Sequence, residues 1–266
     1  SGTTVVANVP VGAGPVALAY DSENGDLYVV NEVSDNVSVI SGTTVVANVP
    51  VGAGPVALAY DSENGDLYVV NELSDNVSVI SGTTVVASLP VGVGPDAVAY
   101  DSGNGYIYVA NCGALACGGV VPYYPRYIGN VTVISGTTAV ASIPIGLGSD
   151  AMVYDSGNGY VYVATCGGLG TDCGRVPPPS PLYIGNVTVI SGTTAVTTVE
   201  IGFSPVAIAY DDGNGYVYVA LANSDNVSVI SGDGRGREYI SRSWILAWVN
   251  GLCEPKRVRV CAVGPG

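Results

Sequence analysis

Apolar residues in this chain come in short runs separated by clusters of Gly, Asp, Asn, Ser and Pro. At the start of the chain the runs are TTVVANVPV, PVALAY, DLYVVNE and NVSVI, with GAG, DSENG and VSD between them. Runs of this length, rich in Val, Ile, Tyr and Thr and bounded by turn residues, predict β-strands. The DSENG segment returns as DSGNG and DDGNG. Its Asn-Gly step predicts a tight hairpin, because that step accepts positive φ. No stretch places apolar residues at three- and four-residue spacing with caps, which excludes helical solenoids. VALAY and LYVVN are apolar on both faces, the pattern of sheets sandwiched between other sheets.

The pattern repeats. SGTT stands at positions 1, 41, 81, 135 and 191, with a final SG at 231, so the spacings are 40, 40, 54, 56 and 40. The first two units differ only at Val33 against Leu73. The third and fourth carry insertions after the same strand, CGALACGGVVPYYPRYIG and CGGLGTDCGRVPPPSPLYIG. Four strands per unit, repeated around an axis, predict an all-β propeller of four-stranded antiparallel blades. A linear β-solenoid normally uses shorter rungs and is the weaker reading. The units are 1–40, 41–80, 81–134, 135–190 and 191–230, followed by 231–266. In that last stretch WILAWVNG and KRVRVCAV read as two strands of an incomplete sixth blade, with five blades and a C-terminal cap as the runner-up. The opening TTVVANV is expected to be an outer strand that closes the ring. A last blade lacking a strand would leave an edge open to another subunit.

LYVVNEVSDNVSVI, IYVANC with NVTVI, VYVATC with NVTVI, and VYVALANSDNVSVI resemble the YVTN-type β-propeller repeat, from residue 1 to about 230. The resemblance implies the propeller fold and a prokaryotic, above all archaeal, cell-surface setting. It supplies no fixed catalytic residues. The chain departs from the motif by placing Val or Ala at its Thr and by adding the paired-cysteine loops.

Composition sharpens this picture. Of 266 residues 48% are apolar and only 11% charged, with a net charge of −14 and no histidine. A typical soluble domain has roughly a quarter charged residues, so other subunits or sugars are expected to cover this surface. No apolar run approaches the ~20 residues of a membrane span. The acidic balance argues against nucleic acid, and six of the eight Lys and Arg follow position 230. A chain opening on Ser1 inside a repeat suggests a trimmed or processed product rather than one carrying a signal peptide.

The cysteines form three close pairs, Cys112 with Cys117, Cys166 with Cys173, and Cys253 with Cys261. Without histidine or CxxC spacing, local disulfides are favoured over zinc. Disulfides imply an oxidising compartment or a thermophile. An N-x-S/T sequon recurs at Asn36, Asn76, Asn130, Asn186 and Asn226, predicting N-linked glycans in an exported chain. The competing reading is a strand whose Asn simply ends a turn.

Tyr123, Tyr124, Arg126, Tyr127, Arg175 and Tyr183 sit in the two insertions. They could form a contact surface or only stapled cover for one face of the ring. Calcium at Asp21, Glu23 and Asp26 is disfavoured, because later units replace the last two by Gly and Tyr. No constellation suits catalysis, and no cofactor is implied. These features together predict an extracellular structural protein that assembles with itself into a filament or lattice. The alternative is an adhesin or carbohydrate- or protein-binding propeller that uses the inserted loops.

Overall fold

Strand-forming runs separated by left-handed turn residues build a chain of hairpins. The computed structural model describes residues 3–113, 129–146, 148–166, 184–222 and 224–231. Sheet 1 holds β1 (Pro15–Tyr20), β2 (Asp26–Asn31), β3 (Asn36–Ser41) and β4 (Thr44–Pro50) in that order. Sheet 2 holds β5 (Pro55–Asp61), β6 (Asp66–Asn71), β7 (Asn76–Ser81) and β8 (Thr84–Pro90). Sheet 3 holds β9 (Pro95–Asp101), β10 (Tyr106–Asn111), β11 (Asn130–Ser135) and β12 (Thr138–Pro144). Sheet 4 holds β13 (Ser149–Asp155), β14 (Tyr160–Thr165), β15 (Ile184–Ser191) and β16 (Thr194–Phe203). Sheet 5 holds β17 (Pro205–Asp211), β18 (Tyr216–Leu221) and β19 (Asn226–Ser231). Every pairing is antiparallel. This is the expected all-β propeller architecture of four-stranded blades. The proposed sixth blade, residues 231–266, lies outside the described residues except for Ser231, which closes β19.

The blades are staggered against the sequence repeat, because each sheet takes its fourth strand from the unit that follows. Sheet 1, for example, spans Pro15 to Pro50. Two expectations require correction. Residues 3–10, TTVVANVP, are not a strand, although the identical residues 43–50 supply β4. A strand is stable only when its backbone groups are paired. β4 has β3 directly before it as a hairpin partner, whereas residues 3–10 pair with no strand among the described residues.

The Asp-Asn-Gly connection is also not a two-residue tight turn. In DSENG only Gly25 takes positive φ (82°), its N–H bonding the Asp21 carbonyl at 2.9 Å. Asn24 does not take positive φ and instead accepts the Asp26 N–H on its side chain at 2.8 Å. Four residues are thus closed by two side-chain caps, the alternative use of Asp and Asn in turns.

Consecutive first strands, β1, β5, β9, β13 and β17, pack side by side in chain order. Apolar residues from facing sheets fill four layers. Tyr28, Val30, Val37, Val39 and Val49 of sheet 1 meet Leu67, Val69 and Ile80 of sheet 2. The layers between sheets 2 and 3, 3 and 4, and 4 and 5 use the corresponding positions. No comparable packing joins β17 to β1 among the described residues. No helix among them is long and apolar enough to cross a membrane.

Candidate functional site

Three kinds of polar fastening recur across the layers between sheets. In the first, an aspartate ends the first strand of a sheet and bends back into the turn after it. Asp21 Oδ1 accepts the Glu23 N–H at 2.8 Å and the hydroxyl of Tyr60, from sheet 2, at 2.6 Å. A hydrogen bond to an ionised carboxylate is about twice as strong as a neutral one. The bond to Asp21 pushes the Tyr60 phenol above its usual range, and burial adds to the rise. The same pairing sets Tyr100 against Asp61, Tyr154 against Asp101 and Tyr210 against Asp155. Burial first and the carboxylate second raise Tyr100 and Tyr154, whereas at Tyr210 the bond to Asp155 dominates. Tyr100 Oη is itself turned out of hydrogen-bonding geometry.

The second fastening runs the other way. Tyr28 Oη donates to the Gly82 carbonyl of sheet 2 at 3.1 Å, Tyr68 to Gly136 at 3.0 Å, and Tyr108 to Gly192 at 2.9 Å. The third uses a left-handed aspartate in the turn before the third strands of sheets 1 and 2. Asp35, at φ 49°, accepts the Gly54 N–H on its side chain at 2.8 Å and the Val51 N–H on its carbonyl at 3.0 Å. Asp75 does the same for Gly94 and Val91.

At the two ends of the row these fastenings stand half-made. Tyr20 has no sheet packed over it among the described residues and is 59% exposed, as is Leu18 at 67%. Asp211 holds its turn through the Gly213 N–H, yet it is exposed where Asp21, Asp61, Asp101 and Asp155 are buried. Asp225 adopts φ 49°, matching Asp35, with no following loop on it among the described residues. Val227 and Val229 are exposed at 55% and 41%, whereas their equivalents Val37 and Val39 are fully buried. The chain therefore presents two apolar sheet faces whose polar groups are complementary to each other.

The sequons occupy a different place, the start of the third strand in every sheet. Residues two apart on a strand share a face, so Asn36 and Ser38 both reach Asn31. The Asn31 amide donates to Asn36 Oδ1 at 2.8 Å and to Ser38 Oγ at 3.0 Å, and Ser38 donates on to Asn48 Oδ1 at 2.7 Å. Asn71 binds Asn76 and Ser78 in the same way, and Asn111 binds Asn130 and Thr132. The Oδ1 atoms of Asn31, Asn71 and Asn111 are buried without a hydrogen-bond partner. In sheets 1 to 3 the sequon spacing thus has an internal use. In sheets 4 and 5 the central asparagine has become Thr165 and Leu221, yet Asn186 with Thr188 and Asn226 with Ser228 persist. Sequence reading missed this network, whose only signal was Asn at the end of the second strand in three units. Asn130 also borders a groove of about 380 Å³ between the outer strands of sheets 2 and 3.

Cys112 and Cys166 follow β10 and β14 directly, are buried, and are both disulfide-bonded. Cys117, Cys173, Cys253, Cys261, Tyr123, Tyr124, Arg126, Tyr127, Arg175 and Tyr183 lie outside the described residues. Among the described residues no three Cys, Asp or Glu side chains gather as metal ligands.

No family model matches this chain, and no curated protein does. Among solved structures it is similar to the hydrazine synthase of Kuenenia stuttgartiensis, with 19% identity over 86% of this chain and 79% of that one and a TM-score of 0.46. A likeness this distant carries no argument about chemistry.

Proposed function

We propose that this is an extracellular structural protein that assembles with copies of itself into a surface filament or lattice, N-glycosylated and stapled by disulfides. One observation carries the reading: the two terminal sheet faces are apolar, exposed and complementary, Leu18 and Tyr20 on one and Val227, Val229 and Asp211 on the other. Exposed apolar sheet faces mark interaction surfaces. Head-to-tail contact between identical copies gives open fibres when the rotation does not close. The low charge, with only 11% of residues ionic, fits a surface that is covered rather than solvated. Light scattering on the native protein should report a mass many times that of the 26.8 kDa chain. A stable monomer across the micromolar range would defeat the reading.

For glycans the strongest support comes from Asn186 and Asn226, whose sequons persist without the asparagine that uses them elsewhere. Mass spectrometry of native peptides should find these two modified first. Unmodified asparagine at all five sequons would remove the glycan from the proposal.

A second reading, an adhesin acting through the two inserted loops, draws on their shared attachment after β10 and β14 of adjacent sheets. Deleting residues 114–128 separates the two, since an adhesin loses its ligand while a structural protein keeps the end-to-end contact.

A further inference from the structure

Residues 3–10 lie in no sheet, and Val5 and Val6 are exposed at 81% and 89%. Their sequence, TTVVANVP, is that of residues 43–50, which supply β4. β4 pairs with β3, whose sequence NVSVIS is also that of β19. Sheet 5 is the only sheet with three strands among the described residues, and β19 is its edge. The chain thus carries one spare copy of each half of a strand pair already formed within it.

We propose, resting on the self-assembly reading above, that residues 3–10 form the fourth strand of sheet 5 in a second copy of this chain. The register follows from the pair already present, in which Asn36 faces Pro50, Val37 Val49, Ser38 Asn48, Val39 Ala47 and Ile40 Val45. Transferred, it sets Asn226 against Pro10, Val227 against Val9, Ser228 against Asn8, Val229 against Ala7 and Ile230 against Val5, with the same bulge at Val6. Ser228 then donates to Asn8 as Ser38 does to Asn48.

The neighbouring half-made fastenings close with the same movement. Val11 and Gly14 present their N–H groups to Asp225, whose φ of 49° is already that of Asp35 under Val51 and Gly54. Tyr20 meets Asp211 as Tyr60 meets Asp21, and Tyr218 meets the Gly42 carbonyl as Tyr28 meets Gly82. The surface is continuous in design with four interfaces inside the chain. Within one copy β17 and β1 do not pack together among the described residues, which leaves the acceptor to the next copy. Each added chain covers one apolar face and presents a fresh one, so growth continues in one direction.

The test uses the full chain with one substitution at a time. Chains carrying Asn8→Cys and chains carrying Ser228→Cys are mixed and mildly oxidised, with the unsubstituted chain treated identically as the blank. A covalent dimer of the two different chains is expected in the mixture and not in either alone. Pairing Asn8→Cys with Val229→Cys should abolish it, since a one-residue slip turns the side chain to the opposite face. Equal cross-linking at both positions would overturn the register.

A double variant that cross-links within a single monomer would overturn the second copy in favour of closure on its own sheet. Assembly without any cross-link would overturn the strand while leaving self-assembly standing, and a plain monomer without a cross-link would remove both. A chain beginning at Val11 adds an independent check, because residues 3–10 contribute to no sheet. It should keep its circular dichroism and lose assembly. Undiminished assembly of that chain would overturn the proposal.

Discussion

Residues 4–10 and residues 44–50 have the same sequence, TVVANVP, and different structures. The second copy is a strand with its valines half-buried or better at alternate positions, while the first is unpaired with Val5 and Val6 in solvent. The same contrast separates whole sheets. Among the described residues sheets 2, 3 and 4 are covered on both sides, whereas sheets 1 and 5 each have one bare face, and the positions bare in one are buried in the other sheets. Strand propensity in this chain is therefore a capacity, and a neighbouring strand or sheet turns it into structure.

The comparison is broken most strongly at the centre. Ile134→Ala, a fully buried change between sheets 2 and 3, should cost about 2–5 kcal/mol in a denaturant titration. Paired changes at one repeat position sharpen it. Val37→Ala should cost about 2 kcal/mol, while Val227→Ala, at the equivalent exposed site, should stay within about 0.5 kcal/mol in unassembled chain. Equal losses at the two sites would mean that sheet 5 is covered within one copy.

A similar pair tests the fastenings. Tyr60→Phe removes a bond to a buried carboxylate and should lower stability by about 1.5–3 kcal/mol. Tyr20→Phe, at a site with no sheet packed over it among the described residues, should leave the unassembled chain unchanged and weaken only assembly.

The smallest and most diffuse effect is expected on raising the pH. Burial, reinforced by Asp101, pushes Tyr108 up to about 12, and Tyr28 and Tyr68 are raised chiefly by burial as well. Unfolded tyrosines lose their protons near pH 10. Between pH 10 and 12 the folded chain thus holds more protons than the unfolded one. The tyrosine contribution is fully present below pH 10 and is lost as pH climbs toward 12. Melting temperatures followed with phenolate absorbance should fall across that window, and fall less in Tyr108→Phe. A flat profile would show these phenols to be open to water.

Much of the fold was legible because a duplicated sequence states its own period. The four strands per unit, their antiparallel hairpins and the sandwiching of VALAY and LYVVN follow from alternation, turn residues and apolarity on both faces. Two local details were not. The Asp-Asn-Gly turn can close in more than one way from the same residues, and capping by Asp21 and Asn24 prevailed over positive φ at the asparagine. The sequon was visible, but its use was not, since Asn31 lies five residues before Asn36 and meets it only after the hairpin folds.

The sequence by itself determined the repeating strand pattern, the position of every turn and the shortage of charge, all of which depend on neighbours in the chain. Only the tertiary structure decided which copy of an identical segment becomes a strand and which of two near-identical faces remains bare. The reason is physical: strand pairing and sheet stacking are contacts between units, and a repeated sequence cannot mark which of its copies will stand at an end.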